Sequence, residues 1–314
     1  MPRRTMTMTR IWYHPLRKTK VEDWGLVSEL PDQRDLADLF EKFVQSDVTN
    51  DTLVRQDRES YAVVTKVERK NRAITVTFEA GRFGEHGVVK NVKTHQRKGD
   101  FTPDDATTVV THGVLLVPKS GNAALVFSER SNGQGGMTAL LPKFVERFVL
   151  LYPEYRMKTA TVVQTDAWLK RARLTKIVGT VRKYNTDEAT DDNEQIIGEL
   201  THTLLPEKDR KYFPDSVWRR LRDHRINRAK FLNFPDDTQL DTLDVTASDG
   251  SSKRTFEIGD EKTPPLRLIL TSVGETAFTS EKILKRVLDE AADIFTSLGI
   301  EWSEADAVAA SPSS

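Results

Sequence analysis

Two clusters of basic side chains are the residues of this chain best suited to chemistry, and the chemistry they suit is capture of a polyanion. Lys170, Arg171, Arg173 and Lys176 fall within one short stretch; Arg219, Arg220, Arg222 and Arg225 fall within another. Arginine dominates the second cluster, and its planar fork of N–H donors can grip two phosphate oxygens at once. Both clusters belong to blocks of alternating sign. Basic residues 170–183 are followed by the acidic run Asp187, Glu188, Asp191, Asp192, Glu194 and Glu199. A second basic block runs from Lys208 to Lys230, and Asp236, Asp237, Asp241, Asp244 and Asp249 reverse the sign again. Lys+Arg and Asp+Glu are both 47, so a neutral total conceals the sorting. A concentrated positive face focuses its field on polyanions. The competing reading is a solvated surface neutralised by its own acidic neighbours.

Other candidate chemistry is weaker. Asn132-Gly133-Gln134-Gly135-Gly136 precedes a predicted helix, where backbone N–H groups can meet an anion. It lacks the Gly-Lys-Ser/Thr ending of a P-loop and the Gly-x-Gly-x-x-Gly spacing, so a flexible strand-to-helix connection is expected. His14, His86, His95, His112, His202 and His224 form no His-x-x-x-His pair, and His112 sits in a strand-like apolar run as a core histidine. Asp104-Asp105, Asp191-Asp192 and Asp236-Asp237 adjoin turns without the strand-borne pattern of a magnesium nuclease. No serine has a Gly-x-Ser-x-Gly context, and zero cysteine excludes disulfides and thiolate catalysis. The expectation is a non-enzyme with no cofactor and no metal. Trp168 beside the first cluster is either a stacking surface or a core anchor.

The elements that must carry these residues follow from periodicity. Tyr61–Val67 and Ile74–Phe78 read as one hairpin, and Val109–Val117 with Ala123–Phe127 as another. Leu36, Leu39, Phe40 and Phe43 fall at helical spacing behind a cap at Asp32 or Asp35. A helix is predicted from Thr138 to Leu151, with Pro142 acceptable only near its start. From Thr159 the elements shorten: a strand at Ala160–Val163, a helical piece at Trp168–Lys176 and a strand at Ile177–Val181. One basic helix is expected to begin near Asp215 and to run through the arginines towards Phe231. Leu243–Thr246 and Arg254–Ile258 form a hairpin, and Leu266–Leu270 a further strand. Ser280 is taken as the cap of a helix with apolar stripe Ile283, Leu284, Val287, Leu288, Ala291, Ile294, Phe295 and Leu298, ended by Gly299.

The fold class is therefore α+β, with mixed or antiparallel sheets, packed helices and two lobes. Residues 1–10 form a disordered start, 11–158 with 262–300 the main globular domain, 159–261 a second, charge-rich lobe, and 301–314 a flexible tail. No apolar run reaches bilayer length, and the first residues lack the apolar core of a signal peptide, which points to the cytoplasm.

Three segments, Tyr61–Val67, His112–Arg130 with the following glycine loop and helix, and Thr161–Tyr184, are arranged in an order that resembles the phage-encoded RexA exclusion protein family. The resemblance covers residues 60–185 and carries over no functional residue. It implies a lysogen-encoded sensor that binds DNA as a homodimer and acts with a membrane-protein partner in phage exclusion. The expected function is thus double-stranded DNA binding, mainly through the phosphate backbone, by the eight basic residues named first. The alternatives are an assembly module with self-complementary charge blocks and a metal-dependent nuclease.

Overall fold

The computed structural model describes residues 2–162, 172–184, 198–222, 227–235, 238, 240–248, 253–257 and 267–308. It is an α+β protein of mainly antiparallel sheet, in two compact units: residues 1–162 with 270–314, and residues 163–269.

The first unit is built on six strands: β1 (Arg4–Pro15), β2 (Ser60–Lys70), β3 (Ala73–Arg82), β6 (Thr107–Leu116), β7 (Ala124–Ser131) and β8 (Tyr155–Thr161). Their order is β8-β1-β7-β6-β3-β2, all pairs antiparallel. A separate hairpin joins β4 (Gly87–Lys90) to β5 (Arg97–Phe101). Both predicted hairpins are present. The disordered start is not: β1 begins at Arg4, and Met6 and Met8 are buried in it. Thr5-Met6-Thr7-Met8-Thr9 alternates at the strand period, and pairing with β7 from Arg4↔Ser131 to Ile11↔Ala124 makes the segment central. Tyr155 pairs with Pro15, so β8 starts earlier than the strand predicted at Ala160–Val163.

Successive side chains leave opposite faces of this sheet. On one face, Ile74, Val76 and Phe78 of β3 with Leu115 and Val126 meet α1 (Leu36–Lys42) and α2 (Met137–Leu151), where Phe40 and Phe144 stack edge-on at 5.0 Å. Asp35 is the α1 cap; its Oδ1 accepts from the Ala37 N–H at 2.8 Å. Asp32 instead accepts from Arg34 Nε at 2.6 Å. Pro142 lies inside α2 rather than at its start. It is exposed, so its ring clears the sheet and the loss is one N–H donor. On the other face α5 (Ser280–Ser297) packs on β3 and β6 through the predicted stripe. Its cap is Thr279, whose hydroxyl accepts from the Lys282 N–H, rather than Ser280. Gly299 ends it in the left-handed region at φ 69°. The expected flexible tail contains α6 (Glu304–Val308), with Ala307 buried and Trp302 stacked on Phe295 at 4.6 Å. No described helix is long and apolar enough to cross a membrane.

The second unit carries β9 (Arg173–Tyr184), β10 (Gly198–Leu204), β11 (Thr242–Ser248), β12 (Lys253–Glu257) and β13 (Arg267–Thr271), at whose end the chain leaves the unit. Their order is β10-β9-β11-β12-β13, again antiparallel. Two short helices, α3 (Asp215–Arg222) and α4 (Arg228–Phe231), belong to the same unit. The single helix expected from Asp215 to Phe231 is overturned. Asn227 has extended backbone, φ −66° and ψ 115°, and its side chain accepts from the Lys230 N–H to start α4. The helical piece expected up to Lys176 is overturned as well, because Arg173 to Lys176 belong to β9.

Candidate nucleic-acid interface

The local geometry of β9 decides which basic residues share a face. Strict alternation would put Leu174 and Lys176 on the same side. In the pairing with β11, Ala247 lies opposite Leu174 and Thr246 opposite Lys176, leaving Thr175 as the extra residue of a β-bulge. The Thr175 hydroxyl donates to the Thr246 carbonyl at 3.1 Å, supplying a partner where the ladder is disrupted. The bulge reverses the parity. Leu174 and Ile177 are both buried, whereas Arg173 and Lys176 are both exposed. Beyond it, Thr180 and Arg182 continue the outer face, and Thr201 of β10 meets Thr180 at 3.3 Å between hydroxyls. Threonine suits this position: it is β-branched for the strand and presents a hydroxyl to water or phosphate.

The opposite face is the covered one. A Cβ on Gly179 would lie 2.5 Å from Leu232 Cδ1 and 3.3 Å from Phe234, so the glycine makes room for those side chains. His202 stacks on Phe234 at 4.2 Å and its Nδ1 is 2.8 Å from the Leu232 carbonyl. The helix α3 contacts β9 and buries Trp218 and Leu221. Arg219 and Arg220, between those two, are exposed.

At the start of β9 the chain adds cations that the two clusters did not include. The Phe213 N–H donates to the Leu174 carbonyl at 2.9 Å, which ties residues 210–214 alongside the bulge. Arg173 Cζ lies 5.6 Å and Lys211 Nζ 5.5 Å from the centroid of the Tyr212 ring, both within cation–π range. Arg173, Arg210, Lys211 and Tyr212 line an open hollow of about 380 Å³, together with one carboxylate, Asp215. Arg210 is shared with Glu207 at 3.3 Å, an exposed pair that screening weakens.

Of the eight residues expected to bind nucleic acid, Arg173 and Lys176 share one exposed face, and Arg219 and Arg220 share the exposed side of a helix. Lys170, Arg171 and Arg225 lie outside the described residues, as does the side chain of Arg222. The described residues thus fall in two pairs, one on β9 and one on α3. Arg210, Lys211 and Tyr212 were missed as site residues. Their signal was the run Arg210-Lys211-Tyr212-Phe213, cations followed by aromatics, which is the composition of a stacking platform. Among the described residues no group of three or more His, Asp or Glu side chains is arranged to hold a metal ion. The acidic run at 187–194 lies outside the described residues. Asp241 of the last acidic block is exposed and held to the backbone, its Oδ2 accepting from the Arg182 N–H at 2.7 Å.

Fold and site together define an α+β protein with a cationic, aromatic-flanked strand face. Family models, curated proteins and solved structures show no match to this chain.

Proposed function

We propose that the second unit binds DNA through its phosphate backbone, using Arg173, Lys176, Arg210 and Lys211, with Tyr212 as a stacking surface. The observation that carries this reading is the bulge at Thr175, which turns Arg173 and Lys176 to one exposed face beside the Arg173–Tyr212–Lys211 cluster. Backbone charge supplies the affinity in this reading, and contacts to phosphate oxygens carry no sequence information directly, so recognition through them is largely independent of sequence. With the RexA-like order of segments in residues 60–185, the proposal extends to a DNA-binding sensor in phage exclusion that acts as a dimer with a membrane-protein partner.

Fluorescence anisotropy with labelled duplex and single-stranded DNA tests the reading. Arg173→Glu with Lys176→Glu should remove most of the affinity. Arg219→Glu with Arg220→Glu, on the exposed side of α3, should weaken binding far less. Equal affinity of the first variant and the unaltered protein would exclude the strand face as the interface. Salt-dependent self-association without any DNA binding would instead favour pairing of complementary charge blocks between copies.

A further inference from the structure

We propose that the first unit holds a second anion site, a hollow at the start of α2 that receives a phosphate or diphosphate group. Four arginines from distant parts of the chain line it: Arg55, Arg58, Arg82 and Arg130. None belongs to the basic clusters of the second unit, and no carboxylate is among the hollow's lining residues.

The hollow is assembled by tight local structure. Arg55 and Ser60 exchange both backbone hydrogen bonds, at 2.8 and 3.1 Å, around a 3₁₀ turn at Gln56–Arg58. Glu59 closes that loop in the left-handed region at φ 48°, and Ser60 then pairs with Arg82. On the opposite side, Ser131 and Gln134 exchange backbone hydrogen bonds, both 2.9 Å, with Asn132 and Gly133 at φ 49° and 77° between them. Two successive positive φ values are the mark of a primed turn, for which Asn-Gly is the favoured pair. Arg130 reaches over this turn, its Nη2 and Nε donating to the Gly133 carbonyl at 2.9 and 3.2 Å. That guanidinium is held in place before any ligand arrives, which lowers the entropy cost of binding.

The glycine loop is the expected strand-to-helix connection, closed by the Ser131–Gln134 hydrogen bonds. A Cβ on Gly135 would lie 2.5 Å from the Glu129 carbonyl oxygen, and one on Gly136 only 2.1 Å from the Phe78 ring. The glycines let the first turn of α2 sit on the sheet, beside the arginines.

Charge supplies the argument for a ligand. A guanidinium stays protonated at any ordinary pH, and the lining of this hollow carries four of them and no carboxylate. Asp57 approaches Arg55 and Arg58 at 3.7 and 3.6 Å but is largely exposed and outside the lining. Among the described residues no carboxylate is within ion-pair distance of Arg82. Ser60, Gln134 and Thr138 add neutral hydrogen-bonding groups to the lining. The volume, about 200 Å³, is below the roughly 300 Å³ at which pockets begin to enclose drug-sized ligands. A phosphate or diphosphate head group matches that size and charge, and the rest of its carrier would extend into solvent.

Isothermal titration calorimetry with inorganic pyrophosphate should show saturable one-to-one binding. Arg58→Ala with Arg82→Ala, both exposed positions at which folding is checked by circular dichroism, should weaken it at least tenfold. No saturable heat with the unaltered protein, or undiminished binding by the double variant, overturns the proposal. Two further ligands identify the carrier, measured in the Arg173→Glu, Lys176→Glu background so that the strand face does not contribute. Tighter binding of adenosine diphosphate than of a terminally phosphorylated oligonucleotide assigns a small phosphorylated ligand. A tenfold preference for the phosphorylated over the unphosphorylated oligonucleotide, abolished by the arginine variant, assigns a nucleic-acid end.

Discussion

Glu129→Ala should be among the most destabilising single substitutions in the first unit. The Glu129 side chain is fully buried between Arg4 of β1 and His112 of β6. Its Oε1 accepts from Arg4 Nη1 at 2.7 Å, and its Oε2 accepts from the His112 backbone N–H at 2.9 Å and lies 2.7 Å from His112 Nδ1. Arg4 Nη1 also donates to the Val110 carbonyl at 2.7 Å, a neutral acceptor that does not balance its charge. Removing the carboxylate leaves a buried cation uncompensated and a buried backbone donor unpaired. Breaking a buried ion pair from one side costs about 3–5 kcal/mol, against a whole-domain stability of about 5–15 kcal/mol. Glu129→Gln keeps the shape and part of the hydrogen bonding, so about 1.5–3 kcal/mol is expected from loss of the charged acceptor. Replacing both partners, Arg4→Met with Glu129→Leu, should recover the part of the loss that comes from the uncompensated cation, while the His112 N–H stays without its carboxylate acceptor. Urea unfolding followed by circular dichroism measures all three. A Glu129→Ala cost below about 1 kcal/mol, or a double variant no more stable than the single, would refute the reasoning.

Two further outcomes are expected. If Arg173, Lys176, Arg210 and Lys211 each neutralise one phosphate, log affinity for duplex DNA should fall with log salt at a slope of roughly −3.6, and Lys176→Ala should flatten it by about 0.9; a slope near zero would argue against a backbone mode. Burial raises the Tyr13 and Tyr152 phenols from 10.0 to about 12, and the Tyr13 hydroxyl donates to the Leu26 and Glu29 carbonyls at 3.1 and 3.2 Å. The fold favours the neutral phenols, so their stabilising contribution is complete below pH 10.0 and is lost as pH rises towards about 12. Spectrophotometric titration should show two of the six tyrosines ionising late; one common transition near pH 10.0 would contradict it.

Where a residue's neighbours in sequence are also its neighbours in space, the chain was readable. The α5 stripe, a cap for α1 at Asp35 as one of two candidates, both hairpins of the first unit and the core position of His112 rest on contacts within one or two elements. The errors fell where long-range pairing overrode local composition. Polar residues around Met6 and Met8 suggested a ragged start, but β7 and β8 draw the segment into the sheet. Lys and Arg around Leu174 suggested a helix, but strands on both sides supply the backbone partners that make 173–184 a strand.

The amino-acid order by itself determined the α+β class, the amphipathic faces and the sorting of charge, because period and propensity are properties of adjacent residues. It did not determine which charges meet. The parity switch that exposes both Arg173 and Lys176 arises from a bulge defined by β11, far along the chain. The convergence of Arg55, Arg58, Arg82 and Arg130 depends on pairings between β2, β3, β6 and β7. Both arrangements are set by the register of distant strands, and only the tertiary structure contains that register.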